Sequence, residues 1–248
     1  KEADINKWRF LVNRNHRADI FFMPEYATLF EKSEGEVRQA FGGEANLFFY
    51  GDKDNYIIYP FFKRKISELP FYKFLPPEAK DSFDIASPYG YSGPLSYITR
   101  ADSENCLWSG FFEEFHKYCV ENKIVSEFVR FNPYIKNHIF IEKFHGNNIK
   151  IAGKVVYIDL SQDKSIIKKG MTKGNRSSLS KAIRSGVEAF RSKNKKEIDI
   201  FCYLYLNTME RKHSDKSYFF PRIFFNNIFS ILNKNAELFL ARYKNRII

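Results

Sequence analysis

Short apolar runs separated by turn-forming residues mark a β-hairpin early in the chain. Residues 46–50 and 56–62 are rich in Phe, Tyr and Ile, and residues 51–55 between them are Gly, Asp, Lys and Asn. Pro60 has no backbone N–H to donate to a neighbouring strand. We therefore expect the second strand either to lie at a sheet edge or to lose its regular pairing at Pro60.

Apolar residues three or four positions apart predict an amphipathic helix over residues 103–122. Its apolar positions are Leu107, Phe111, Phe115 and Tyr118. A strand is predicted next, at 124–131. A shorter helix over 24–30 begins at Pro24, because proline suits the first helical turn. Residues 84–95 are dense in Pro, Gly and Tyr, which predicts a rigid loop.

The second half of the chain repeats this order of strand, helix and hairpin. Residues 155–160 predict a strand, and a basic helix then runs to about Ser185, with Gly186 after it. The remaining predicted elements are two helices and a hairpin, at 197–212, 219–233, 237–241 and 247–248. Because this hairpin resembles the one at 46–58, we expect a duplicated α/β unit. Its last strand has two residues, too few for a stable hairpin, so we expect the second unit to be incomplete.

Positive charge is concentrated in the second half. The 248 residues carry 40 Lys and Arg against 29 Asp and Glu, a net charge of +11. Residues 1–149 hold 19 basic and 21 acidic side chains, whereas residues 150–248 hold 21 and 8. A basic half favours an anionic partner such as a nucleic acid, a phosphorylated substrate or a membrane surface, or it is a solvated face without a ligand. The asymmetry also predicts two domains, 1–150 and 151–248.

The predicted helix after Thr172 supplies the candidate anion-binding residues. At 100° per residue its basic and apolar residues fall on opposite sides, which is typical of a helix packed on a core with its cationic face outward. Free N–H groups at the helix start also attract anions. The basic residues are Lys173, Arg176, Lys181 and Arg184, and the apolar ones are Leu179, Ala182 and Ile183. The basic set forms either a phosphate- or carboxylate-binding site or a solubilising face.

A second group of residues is a candidate pocket wall. It takes two tyrosines from the 84–95 loop, two polar residues from the end of the 124–131 strand, and one phenol beside an apolar run. These residues are Tyr89, Tyr91, Arg130, Asn132 and Tyr218. The alternatives are core packing for the tyrosines and a surface position for the arginine.

Conventional catalytic signatures are missing from the sequence. Its five histidines form no His-Glu-x-x-His pair, and it has no Gly-x-Ser-x-Gly elbow or phosphate-binding P-loop. The three cysteines, Cys106, Cys119 and Cys202, form no Cys-x-x-Cys pair, so neither a metal site nor a disulfide framework is indicated. Catalytic residues therefore stay unassigned. No apolar run is long enough for a transmembrane helix, and a reducing, cytoplasmic setting is expected.

Four segments together carry a resemblance to a known family. They are DIASPYGYSGP at 84–94, EFVRFNP at 127–133, VYIDL at 156–160 followed by Arg176 and Lys181, and YLNTM at 205–209 followed by YFF at 218–220. In this order and spacing the chain resembles the Fem family of non-ribosomal peptidoglycan-bridge aminoacyltransferases, within the GNAT superfamily.

The resemblance implies a mixed α/β (α+β) chain of tandem GNAT-like acyltransferase units. It implies transfer of an activated amino acid, carried on aminoacyl-tRNA, to an amine of a peptidoglycan precursor. Lys173, Arg176 and Lys181 would contact anions, and Arg130, Tyr91 and Tyr218 would line the pocket. No tightly bound cofactor or metal is implied, because the acyl donor is a co-substrate.

Two other functions remain open on the sequence. One is an N-acyltransferase that uses acyl-CoA and acts on a small amine or amino sugar. It would need a Gln/Arg-x-x-Gly-x-Gly/Ala loop, and no such loop occurs up to Ile248. The other is a non-catalytic module that binds RNA or another anion, for which salt-sensitive binding without turnover is expected.

Overall fold

The computed structural model describes residues 2–100, 104–145, 149–192 and 194–248. The helices are α1 Glu2–Arg14, α2 Pro24–Glu31, α3 Gly35–Phe41, α4 Glu104–Glu121, α5 His138–His145, α6 Lys164–Gly170, α7 Lys173–Arg184, α8 Lys195–Arg211 and α9 Arg222–Ile231. The strands are β1 Glu44–Gly51, β2 Asn55–Lys65, β3 Phe83–Ala86, β4 Leu95–Ile98, β5 Ile124–Phe128, β6 Glu188–Arg191, β7 Phe239–Tyr243 and β8 Arg246–Ile247. The chain is thus of the mixed α/β class.

The larger sheet is built around β2. Strand β2 pairs antiparallel with β1, with β3 and with β4, and β5 extends the sheet by pairing parallel to β3. The predicted hairpin is confirmed, with Phe48 opposite Tyr59. A smaller sheet of β6, β7 and β8 contains the predicted terminal hairpin.

Pro60 lies where the partner strand of β2 changes. On one side, β2 pairs with β4 up to Ile58 and with β3 from Phe62. The Pro60 carbonyl on that side accepts a hydrogen bond from the Ser92 hydroxyl at 2.7 Å. The N–H and C=O of a strand residue point to the same side of the strand. The backbone N–H that Pro60 lacks would therefore point into the gap between β4 and β3, where it has no partner strand. The expectation of lost regular pairing is confirmed, whereas β2 is central and the edge alternative is wrong.

The two faces of β2 belong to two different cores. Tyr56, Ile58 and Phe62 pack with α1, α2 and the C-terminal helices, and the alternating residues Ile57, Tyr59 and Phe61 pack against α4. The first core includes Phe30 of α2 and Phe224 of α9, whose ring centroids are 5.3 Å apart. Residues on both sides of position 150 therefore share one core, and the division into 1–150 and 151–248 stays a prediction.

Three expectations for the second half need correction. Residues 155–160 form no strand, and Val156 and Leu160 are 94% and 83% exposed, because a β-prone run is stable only when it is paired. The predicted single basic helix is in fact two helices, α6 and α7. The second begins anew after Thr172, because the Thr172 hydroxyl caps α7 by accepting a hydrogen bond from the Asn175 N–H. The apolar side of α7 is not packed on a core, because Ile183 is 62% exposed.

The strand predicted at 124–131 is shorter than expected. Strand β5 ends at Phe128, and Phe131 forms an isolated bridge with Ser92. The predicted helices at 24–30, 103–122, 197–212 and 219–233 correspond to α2, α4, α8 and α9, with end shifts of up to three residues. None of the helices in the described part of the chain combines the length and apolar character that crossing a membrane requires.

Candidate functional site

The carboxyl ends of the parallel strands β3 and β5 bring two predicted motifs together. The chain leaves both strands at the same sheet edge, a position where α/β proteins commonly bind ligands. The Ser87 N–H donates to the Phe128 carbonyl at 2.9 Å, and the Arg130 N–H donates to the Ser87 hydroxyl at 3.1 Å. The Ser92 N–H then donates to the Arg130 carbonyl at 2.9 Å. The loop at 87–94 is thereby fixed to the end of β5, and the predicted loop at 84–95 is shorter than expected because its first three residues belong to β3 and its last to β4.

A cleft of about 130 Å³ opens at this edge. Its lining residues come from α3, β2, the loop after β3 and the end of β5. They are Ala40, Phe41, Arg64, Ala86, Ser87, Pro88, Tyr89, Gly90, Phe128 and Arg130. Tyr89 and Arg130, two of the predicted pocket-wall residues, thus line one cleft, while Phe41 and Arg64 were not foreseen.

The two arginines of the cleft differ in what their charge does. Arg64 binds both carboxylate oxygens of Asp84, with Nε to Oδ1 at 2.9 Å, and their side chains are 15% and 8% exposed. Its charge is therefore neutralised inside the protein. Arg130 is exposed and has no ion pair with any residue that the structure describes. Arg130 is the cation that an anionic ligand in this cleft would meet.

Tyr89 presents a neutral phenol beside Arg130. Burial raises the pKa of Tyr89, the nearby Tyr218 phenol raises it further, and the Arg130 charge lowers it. The Tyr89 backbone carbonyl accepts a hydrogen bond from the Tyr26 hydroxyl at 2.6 Å, which holds the residue in place. At neutral pH its phenol therefore keeps a proton that it can donate to a developing oxyanion.

Aromatic residues of the C-terminal half pack against Phe41 and Tyr89, two residues of the cleft wall. The Phe41 ring lies 4.5 Å from Tyr89, 5.6 Å from Tyr218 and 6.0 Å from Phe220, measured between ring centroids. The Tyr205 hydroxyl donates to the Tyr218 carbonyl. Tyr218, a predicted pocket-wall residue, thus lies beside the cleft without lining it.

Two other predicted pocket-wall residues lie elsewhere. Asn132 is 2% exposed, and its side chain donates to Asp19 at 2.6 Å and accepts from the Tyr134 N–H at 2.9 Å. It shapes the turn after β5 and does not line this cleft, so its assignment to a pocket wall stays a prediction. Tyr91 is half-buried and packs edge-on against Phe21, at 5.5 Å between centroids, and it does not line the cleft.

The predicted anion-binding residues of α7 are not part of this cleft. The Arg176 guanidinium donates to the Lys169 carbonyl at 3.0 Å and to the Met171 carbonyl, so it holds the end of α6. Arg184 bonds the carbonyl of Ser180 in its own helix. Lys173 and Lys181 are exposed and form no ion pair within the described ranges. The four residues form a separate basic surface, in which Lys173, Lys181 and Arg184 are exposed.

No metal centre is assigned to the site. Among the residues that the structure covers, no group of three or more His, Cys, Asp or Glu side chains could hold a metal ion. Asp84 is paired with Arg64, and Cys119 lies in the other core.

Comparisons with known proteins identify the class of fold. No protein-family model and no curated protein matches the sequence. Among solved structures the chain is similar to a crystal structure of FemX, with a TM-score of 0.58 and 13% identity, over 96% of this chain and 56% of that one. At this identity the likeness shows the fold alone: a Fem-like, mixed α/β fold. The chain spans little more than half the length of that FemX chain.

Proposed function

We propose that this chain belongs to an acyltransferase that moves an activated aminoacyl group to an amine of a cell-envelope precursor in the cytoplasm. The observation that carries the proposal is the position of Arg130 and Tyr89 in a cleft at the carboxyl ends of β3 and β5, within a fold similar to FemX. Arg130 is a free cation among the described residues, and Tyr89 is a neutral donor.

The chemistry of acyl transfer matches this pair of groups. A neutral amine attacks the ester carbonyl of the donor and forms a C–N bond, and the carbonyl oxygen becomes an oxyanion in the tetrahedral intermediate. Collapse of this intermediate breaks the ester C–O bond, and the proton lost by the amine ends on the tRNA ribose oxygen that leaves. Hydrogen-bond donors that are already in place lower the energy of that oxyanion. We assign this role to the Tyr89 phenol and the Arg130 guanidinium. Alternatively, Arg130 binds an anionic group of the substrate. The general base is left unassigned.

The donor that we propose is aminoacyl-tRNA. A basic surface on α7 supports it, because Lys173 and Lys181 are exposed and the half that contains them carries all of the net positive charge. Neutralising phosphates with lysine side chains gives salt-dependent affinity without base specificity. Arg176 is not part of this proposal, since its guanidinium is bound to carbonyls of the α6 end.

The test is a transfer assay with the protein in its full natural length. Labelled aminoacyl-tRNA and acyl-CoA are each offered with a nucleotide-linked muropeptide, and product is followed by mass spectrometry. We expect transfer from tRNA, lowered about 100-fold or more by Arg130→Ala, as when an oxyanion donor is removed. Arg211→Ala, at the exposed end of α8, is the matched control. Transfer from acyl-CoA alone would favour the N-acyltransferase, and tRNA binding without transfer would favour the binding module.

A further inference from the structure

The segment between β2 and β3 is an ordered loop at the amino end of β3. Three short 3₁₀ helices follow one another in it: Ile66–Glu68, Tyr72–Phe74 and Pro77–Asp81. Ile66 and Leu69 are buried, and the Ile66 N–H donates to the Ser82 carbonyl at 3.1 Å, which closes the base of the loop. The loop therefore has a defined shape. We call its middle part, residues 70–77, the apolar tip.

The apolar tip presents aromatic side chains to solvent. Every residue from 70 to 77 except Tyr72 is exposed, and Phe74, Phe71 and Leu75 are 79%, 45% and 38% exposed. The Phe74 N–H donates to the Phe71 carbonyl at 3.0 Å. Residues three positions apart in a 3₁₀ turn lie on the same side of it, so the two phenylalanines share one side. A contiguous apolar patch of this kind marks an interaction surface.

The charged groups of the tip suit a phospholipid surface. Lys73 lies within the tip, its Nζ 4.9 Å from the centroid of the Phe74 ring, and no Asp or Glu occurs from 69 to 77. A lysine stem stays among apolar groups while its ammonium reaches polar ones, and aromatic rings gather at the boundary between lipid and water. The tip therefore complements a surface that has phosphates above an apolar layer.

Net charge does not make the loop a docking surface. Residues 65–82 hold three Lys against three Asp or Glu, so the loop as a whole is neutral. Binding of a peripheral protein to a bilayer grows with the apolar area that is taken out of water and with attraction to anionic lipids. In this loop the apolar contribution is the larger one.

The size of the patch favours a bilayer over a protein partner. Phe71, Phe74 and Leu75 together expose roughly 300 Å², if a fully exposed side chain of this size has about 200 Å². A stable protein–protein interface takes about 800 Å² from each partner. Insertion of a few side chains into lipid has no such requirement, because lipid closes around whatever is inserted.

We propose that the apolar tip docks this protein on the surface of a phospholipid bilayer. Phe71, Phe74 and Leu75 lie at the boundary between headgroups and acyl chains, and the Lys73 ammonium lies among the phosphates. The loop precedes β3, whereas the cleft with Tyr89 follows it, so the two lie at opposite edges of the sheet. Docking leaves the cleft uncovered and is independent of the proposed acyl transfer.

Co-sedimentation of the full-length protein with phosphatidylcholine vesicles tests the proposal. A zwitterionic lipid and about 0.5 M NaCl suppress the attraction due to the net charge of +11. We expect saturable partition of the wild type, about tenfold weaker for Phe74→Ser and about 100-fold weaker for Phe71→Ser with Phe74→Ser, because each substitution removes a large apolar side chain. Because both residues are exposed, the melting temperature should stay close to that of the wild type.

Phe10→Ser is the matched control. Phe10 is 57% exposed on α1, and its ring centroid lies 5.9 Å from the Arg14 guanidinium, so it is also an exposed phenylalanine beside a cation. We expect this variant to partition as the wild type does. It separates the position of the tip from a general effect of surface hydrophobicity.

Phe74→Trp gives a second readout that keeps the aromatic ring. The two natural tryptophans, Trp8 and Trp108, are buried, so a new tryptophan in the tip reports on its own surroundings. Its emission should move to shorter wavelength when vesicles are added, and brominated phosphatidylcholine should quench it.

Four outcomes overturn the proposal. They are absence of partition by the wild type, equal partition of Phe74→Ser and Phe10→Ser, and a Phe74→Trp emission spectrum that vesicles leave unchanged. The fourth is self-association of the wild type that disappears in Phe74→Ser, because it would assign the apolar tip to a contact with a second copy of the chain.

Discussion

The hydroxyl of Ser92 donates a hydrogen bond to the carbonyl oxygen of Pro60 over 2.7 Å, and Ser92 is fully buried. This bond fills the gap in the sheet between the two partner strands of β2. It also ties the loop that carries Tyr89 to the central strand, so the shape of the cleft depends on a contact between residues 32 positions apart.

Ser92→Ala tests that connection. The substitution leaves the Pro60 carbonyl buried without this donor, and the expected loss is about 1–3 kcal/mol of unfolding free energy. Chemical denaturation measures it, with Ser178→Ala on the exposed side of α7 as the control that should change stability by less than about 0.5 kcal/mol. Equal denaturation midpoints for the two variants would contradict the structural role of Ser92.

The buried pair of Arg64 and Asp84 is the second contact beneath the cleft. Arg64→Met leaves the Asp84 carboxylate buried without its cation, and we expect a loss of about 3–5 kcal/mol. The double variant Arg64→Met with Asp84→Leu removes both charges and should recover a large part of that loss. Urea unfolding of the single and double variants gives the comparison. A double variant as unstable as Arg64→Met alone would show that the charges themselves are not the cause.

Cys119 is expected to be an unreactive thiol at neutral pH. With a pKa of about 11, roughly one Cys119 thiol in a thousand is ionised at about pH 8, and the thiolate is the reactive form. Alkylation by iodoacetamide should therefore be roughly 100-fold slower than for an ordinary exposed cysteine, for which Cys106 is the internal reference. The rate should rise about tenfold for each pH unit as the pH approaches 11, because that is where the proton is lost.

Mass spectrometry of the two cysteine peptides against time measures this difference. Glu127→Gln should speed the reaction at Cys119, since removal of the negative charge stabilises the thiolate. Equal alkylation rates of Cys119 and Cys106 in the folded protein would mean that the thiol is neither buried nor close to a negative charge.

The basic surface of α7 makes a prediction about salt. Lys173→Glu with Lys181→Glu should weaken tRNA binding and lower the slope of log affinity against log salt by roughly two, about one for each lost phosphate contact. Lys216→Glu with Lys234→Glu changes net charge equally and is the control. Arg176→Ala should have a small effect, because its guanidinium bonds carbonyls of the α6 end. Equal slopes for the two double variants would exclude α7 as the tRNA-binding surface.

Local patterns predicted the elements whose partners are close in sequence. The 46–62 hairpin follows from the turn residues between its two strands. The α4 helix follows from apolar residues that recur every three or four positions. Arg64 and Asp84 show what such patterns miss. They are paired because the register of β2 and β3 places them directly opposite one another, and nothing in either segment alone specifies that register.

The candidate site shows the same limit. Tyr89 and Arg130 could be named as candidates because glycine- and proline-rich loops and strand ends are recognisable in a sequence, and the parallel pairing of β3 and β5 places both of them in one cleft. The buried position of Asn132 could not be predicted, because its residue type suits a pocket and a buried turn equally and its bond to Asp19 crosses more than a hundred residues. Residues 155–160 have a β-prone composition, but composition does not supply a partner strand.

The contact between Phe30 and Phe224 has a consequence for how the protein is made. A ribosome adds roughly 5–20 residues per second, so about 10–40 s pass between synthesis of α2 and synthesis of the helix that covers it. During that interval the nascent sheet carries an uncovered aromatic face, and chaperones that bind such faces compete with aggregation. Late closure of the first core therefore makes the yield of this protein in a cell depend on the speed of its own translation.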